Sequence, residues 1–142
     1  MVKTYDPRLL LISLGSHIVT GYADGTFLNI EAHGDGVGKQ VGADGETVRS
    51  IDPDETATLT MTLRWDSPTV AFAKQQYDKD RATSGGGMFP VLVKDMKGGL
   101  VFSAEDGWID NSPSREFGKE LSDREIIIET GKSKWVDNGY QG

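Results

Sequence analysis

The sequence predicts a mainly β protein, a single domain over residues 1–142, with one flanking α-helix and a long Gly-rich loop. Three observations lead there. The stretch "ETATLTMTLRW" (55–65) alternates strictly: Ala57, Leu59, Met61, Leu63 and Trp65 form one predicted buried face. Thr56, Thr58, Thr60, Thr62 and Arg64 form the other, and β-branched threonine suits a pleated surface. Second, "DSPTVAFAKQQYDKD" (66–80) carries a helix start, with Ser67 as N-cap and Pro68 at the first helical position. Third, "HGDGVGKQVGADGE" (33–46) holds five glycines and shows no helical or alternating pattern.

The remaining elements follow in chain order. "RLLLISL" (8–14) is an apolar strand candidate on both faces. "HIVTGY" and "FLNIEA" flank "ADGT", whose Asp24-Gly25 predicts a hairpin turn between them. Within the helix, Val70, Ala73 and Tyr77 form one stripe, and Phe72 lies on the other side. Apolar residues on two sides suggest a helix packed between two bodies. "FPVLVKD" (89–95) and "LVFSAED" (100–106) flank "MKGG" as a second hairpin. The connecting segment 107–123 offers Trp108, Ile109 and Phe117 as anchors. "REIIIETG" (124–131) is the last predicted strand, with Ile126 and Ile128 on one face and Ile127 between Glu125 and Glu129 on the other. The tail "SKWVDNGYQG" is polar with two aromatics.

Composition excludes several chemistries. The chain is long enough for a real core. Cysteine is absent, so disulfide scaffolds, thiol catalysis and thiolate metal sites are excluded. His17 and His33 are the only histidines, which argues against a multi-histidine metal centre. No apolar run approaches the ~20 residues of a membrane helix, and no signal-peptide pattern is present. Net charge is −7, the wrong sign for gripping phosphates. It fits plain solubility, or a surface that repels DNA.

The glycine run fails as a ligand loop. A P-loop ending at Gly38-Lys39 would need glycine at 33 and a hydroxyl at 40, where the chain has His33 and Gln40. Gly34, Gly36 and Gly38 are spaced by two, unlike a dinucleotide fingerprint, and no helix follows. A calcium loop from Asp35 would put Val37, Lys39 and Gln40 where ligands and glycine belong. No G-x-S-x-G elbow or basic-aromatic patch occurs either. Catalytic, metal and cofactor residues are therefore none, and no enzyme activity is expected. Loops longer than ~12 residues without structure of their own are usually functional or disordered. The expectation is a flexible connection that orders against a partner.

An ordered series of short motifs over most of the chain resembles the tail-tube proteins of contractile-tailed bacteriophages. "YDP…GYADGTF" is similar to the family's first hairpin, and "VGADGETVRS" to its glycine-acid stretch. "TATLTMTL…SPT" resembles the threonine-alternating strand and Ser-Pro helix start. "FPVLVKD" and "GWID…P…EFGKE…RE" are similar to the later strands and connection. One departure is Ile126, where the family pattern has an aromatic after Arg124-Glu125.

The resemblance implies two packed antiparallel β-sheets, a β-sandwich or partial barrel, with the helix at the flank. It implies homohexameric rings stacked into a tube inside a contractile sheath, with DNA passing through the lumen without specific binding. Partners would be the chain itself, the tail sheath protein, and baseplate and tail-terminator proteins. The location would be the virion tail, assembled in the bacterial cytoplasm. In that setting Thr56, Thr58, Thr60 and Thr62 are candidate lumen residues, and Phe72 and Ile127 candidate subunit contacts. Gly34, Asp35, Gly36, Val37, Gly38, Lys39, Gln40, Val41, Gly42, Ala43 and Asp44 form the candidate inter-ring arm. Two other settings fit the same residues: the tube of a tailocin or secretion-system machine, and a monomeric β-sandwich binding module of a baseplate or fibre.

Overall fold

The computed structural model describes Val2 and residues 5–138. Ten strands and one helix follow a short 3-10 turn at Pro7–Leu9. The strands are β1 (Leu10–Leu14), β2 (His17–Ile18), β3 (Leu28–Ala32), β4 (Val37–Val41) and β5 (Thr47–Ile51). Then come β6 (Ala57–Leu63), α1 (Pro68–Thr83), β7 (Phe89–Asp95), β8 (Leu100–Ile109), β9 (Arg124–Thr130) and β10 (Ser133–Asp137).

The alternation at 57–63 produces the central strand. Ala57, Leu59, Met61 and Leu63 are fully buried, while the threonines between them are half-exposed. β6 pairs with β3 on one side and β9 on the other, both antiparallel. The body is a single antiparallel sheet in the order β2-β1-β7-β8-β9-β6-β3, with β10 also paired to β8.

Strand β8 lets that sheet close over itself. Its first half, Leu100–Ala104, pairs with β10 and β7, and its second half, Gly107–Ile109, pairs with β9. The register with β7 shifts between Phe89 and Val91, a bulge that bends the strand. Two layers result, joined through β8. One core fills the gap, built from Ile12, Leu14, Val91, Val93 and Phe102 on one layer and Leu59, Met61, Ile126 and Ile128 on the other. The predicted two-layer β architecture with one helix is the architecture observed.

The helix starts as predicted. The Ser67 side chain accepts from Thr69 N–H and donates to Thr20 O at 2.5 Å, so the cap also ties the helix to the chain before β3. Val70 and Ala73 are buried, and α1 lies against β2, β8 and β9. Ser84, in left-handed backbone, ends it.

Several expectations need correction. "HIVTGY" and "FLNIEA" do not form a hairpin. β2 pairs back onto β1, and β3 pairs with β6, because β6 offers a continuous apolar row for Leu28 and Ile30. Gly25 still turns the chain at a positive φ, but its flanks separate. Trp65 lies beyond the end of β6 and is exposed. Phe117 is 77% exposed and anchors nothing; Arg115 sits over its ring at 5.2 Å. The polar tail contributes strand β10 after the predicted last strand.

Position 107 is decisive for closure. A Cβ there would stand 2.6 Å from Val91 Cγ2 and 3.3 Å from Phe89 O. Gly107→Ala should cost about 1–3 kcal/mol by overpacking. Adding Val91→Ala should cost less than the sum of the two single changes, because the clash disappears. Urea unfolding of the four proteins measures this; strict additivity would contradict it.

Candidate assembly interface

The glycine run is not an unstructured loop. It folds into an antiparallel hairpin, β4 against β5, with Val37 opposite Ile51, Lys39 opposite Arg49 and Val41 opposite Thr47. The turn is local chemistry: Gly45 sits at φ 87°, its N–H donates to Gly42 O, and Glu46 N–H donates to the Asp44 carboxylate. Asp44-Gly45 was the readable hairpin signal, and the glycines around it obscured it. At the hairpin's base Gly34 passes 2.8 Å from Asp54 O, measured to where a Cβ would stand, and its φ is 86°.

The hairpin projects from the body. Every residue of its strands is exposed except half-buried Gly38, and its pairing is internal. Val37 and Ile51 are 58% and 72% exposed, and Val41 and Val48 are exposed too. An isolated two-stranded hairpin is marginal in water. Here its base is pinned by carboxylates. Asp52 accepts from the N–H groups of Asp35 and Asp54, and Asp54 accepts from the N–H and hydroxyl of Thr56. These hydrogen bonds hold both carboxyls below the ordinary aspartate value.

A second surface is the outer face of β3-β6-β9. The registers align Glu31, Thr58 and Glu129 in one row, Asn29, Thr60 and Ile127 in the next, and Thr62 with Glu125 in a third. No lysine or arginine points out from these rows. Thr60, Thr62 and Ile127 are half-exposed, and Thr56 lies just before the strand. At the rim, Thr58 donates to Glu129 at 2.9 Å, so His33 Nε2–H is the donor to Thr58. That polarity is opposite to activation of a hydroxyl by histidine, where the imidazole takes the hydroxyl proton. No group of three metal-ligating side chains occurs among the described residues.

Phe72, a candidate subunit contact, is half-buried and packs within the chain. Its ring stacks on His17 with centroids 4.4 Å apart and meets Phe89 at 5.7 Å. His17 Nε2 lies 2.8 Å from Thr69 Oγ1, and burial pushes the imidazole's pKa down. Phe72 therefore docks the helix to its own sheet. The exposed side of α1 carries Lys74, paired with Asp78 at 2.9 Å, with Lys79 and Arg81 further along.

No family model matches the chain. The chain is 25% identical over 147 residues to structural protein ORF10 of Pseudomonas phage KPP10, covering 98% of this chain and 84% of that protein. Solved structures with the same fold include the tube-terminating cap of the anti-feeding prophage, at TM-score 0.63 and 8% identity over 96% of this chain and 95% of the other. A second comes from the extended sheath–tube complex of PVC, an extracellular contractile injection system. It gives TM-score 0.62 and 7% identity over 94% and 92%. The fold is shared with these parts of contractile machines. The sheath/tube terminator of the same system is also similar, at TM-score 0.59 and 8% identity over 94% and 97%. The resemblance to tail-tube proteins drawn from the motifs thus agrees with the three-dimensional fold. Among the described residues, no helix is long and apolar enough to cross a membrane.

The carboxylates at the base of the β4-β5 hairpin make it acid-sensitive. A carboxyl whose folded pKa is depressed contributes stability above its unfolded value and loses it as pH falls through the folded value. The amide resonances of Asp35, Asp54 and Thr56 should therefore shift together only below 3.8, the ordinary aspartate value. A pH titration by amide NMR measures this. A midpoint at or above that value would contradict it.

Proposed function

We propose that this chain, acting as one unit over 1–142, forms rings that stack into the inner tube of a contractile tail. The carrying observation is the outer face of β3-β6-β9, whose paired rows hold threonines, Asn29, Ile127 and three glutamates and no lysine or arginine, while Arg64 just past the end of β6 is paired with Asp66 at 3.5 Å. Such a face suits a channel wall. It is hydrated by hydroxyls, offers phosphates no lysine or arginine within its paired rows, and repels them over a Debye length of ~8–10 Å. With six copies per ring, as the resemblance implies, the glutamates would recur around the lumen and DNA would slide without being held.

The free edge of β3 supports the reading. An unpaired edge is a liability that closure into a barrel removes. The remaining partners follow from the geometry of a tube: a sheath around it, a baseplate below and a terminator above. Ile127, a candidate subunit contact, shares its row with Thr60 and Asn29. The projecting hairpin is the arm between neighbouring rings.

A second reading comes from the similar proteins' own descriptions, two of which are a terminating cap and a terminator. A terminator would form single rings and stop. A tube protein would grow with concentration.

Removing the hairpin as a unit, residues 37–51, with a Gly-Ser bridge should leave the body folded and abolish tubes. Deleting 34–44 would instead cut one strand from the pair. Circular dichroism tests the fold and negative-stain electron microscopy tests the assembly. Tubes of normal length from the hairpinless protein would overturn the arm.

A further inference from the structure

We propose that Asn111 is a built-in modification site, at which the folded chain deamidates spontaneously to aspartate and isoaspartate through a succinimide. The chain is its own substrate, and the proposal is independent of the assembly reading.

The hydrogen bonds set this residue apart. The side chains of Asp6, Asp44, Asp52, Asp54 and Asp95 each accept from the N–H two residues further on. That is the ordinary Asx turn, and it carries the carboxyl past the next nitrogen. Asn111 has no such option, because residue 113 is a proline and has no N–H to give. Its side chain turns to the adjacent residue instead. Ser112 N–H donates to Asn111 Oδ1 at 2.8 Å.

That contact holds the carboxamide against the nitrogen that attacks it. Keeping reacting groups together lowers the barrier to their reaction. Among the described residues, Ser112 N–H makes no backbone hydrogen bond, so its nitrogen is not committed to a ladder or turn. Asn111 is exposed and lies in the connection between β8 and β9, outside every helix and strand, where the backbone can close a ring. Asn29 is the contrast. It sits inside β3 opposite Thr60, where pairing keeps the backbone extended, and β-branched Ile30 crowds the following nitrogen.

The chemistry needs only base and water. The Ser112 nitrogen gives up its proton and attacks Asn111 Cγ, forming a C–N bond. The side-chain nitrogen takes up a proton and leaves as ammonia, and a five-membered succinimide joins residues 111 and 112. Water then opens the ring. Opening at Cγ gives aspartate, and opening at the backbone carbonyl gives isoaspartate, whose main chain is longer by one methylene. The balance is water in and ammonia out, with no oxidation or reduction. The product adds a negative charge beside Asp110. Arg124, where this connection ends, pairs with Leu63 at the end of β6 remote from the hairpin. Age therefore makes that end of the body more acidic.

The three asparagines fall in separate tryptic peptides, 9–39, 98–115 and 135–142. Folded protein is incubated in mildly alkaline buffer made with heavy-oxygen water, which labels the acid as it forms, and is then digested and read by mass spectrometry. A synthetic peptide of residues 107–115 is the unconstrained reference. Asn111 in the folded protein should convert at least as fast as in that peptide, to both aspartate and isoaspartate, while Asn29 stays an amide. Asn138, followed by uncrowded Gly139, should convert by sequence alone and shows that the conditions suffice. Ser112→Val crowds the attacking nitrogen and should slow Asn111 by about tenfold, a barrier rise of about 1.4 kcal/mol. An Asn111 that converts more slowly in the folded protein than in the peptide overturns the proposal. So does an Asn29 that converts alongside it, because the reaction then belongs to the unfolded chain.

Discussion

The structure depends on one strand having two incompatible faces. From Ala57 to Leu63 every second residue is removed from water, and every residue between is a threonine at half exposure. Side chains alternate with period two, so a one-residue slip would bury the hydroxyls and expose Leu59, Met61 and Leu63. The register with β3 and β9 is thereby fixed, and those strands inherit the same division. The dry side becomes the common core of two layers. The wet side becomes a face of threonine hydroxyls and glutamates, Glu31, Glu125 and Glu129. The hairpin leaves from the start of this strand.

Where a segment's own pattern determined its structure, the sequence was legible. Ser67-Pro68 specified the helix start, and the alternation at 57–63 and 124–130 specified two strands and their buried faces. What was lost depends on distant partners. Asp24-Gly25 looked like a hairpin turn, yet β3 gains more from the apolar row of β6 than from β2. Phe72 looked free because its partners His17 and Phe89 lie far off in sequence. β10 was hidden in a polar tail, since its exposed residues carry no alternation. The hairpin was half legible: Asp44-Gly45 announced the turn, but glycine density suggested an unstructured loop.

Low identity alongside shared shape has a physical reading. At 7–8% identity, the solved structures of contractile injection machines keep this fold over nearly the whole chain. Such folds are specified by which positions are apolar and where the chain turns, more than by particular residues. Specificity then resides on surfaces. Here those are a face of threonines and glutamates and an arm whose charged cross-strand pair is Lys39 with Arg49.

The most direct measurement is cryo-electron microscopy of the purified chain after concentration. The account predicts stacked hollow rings, with Thr58, Thr60 and Thr62 facing the channel and each hairpin crossing to the next ring. Tubes whose channel is lined by the helix or another face would contradict it. So would a protein that remains monomeric at all concentrations and in the presence of contractile-tail baseplates.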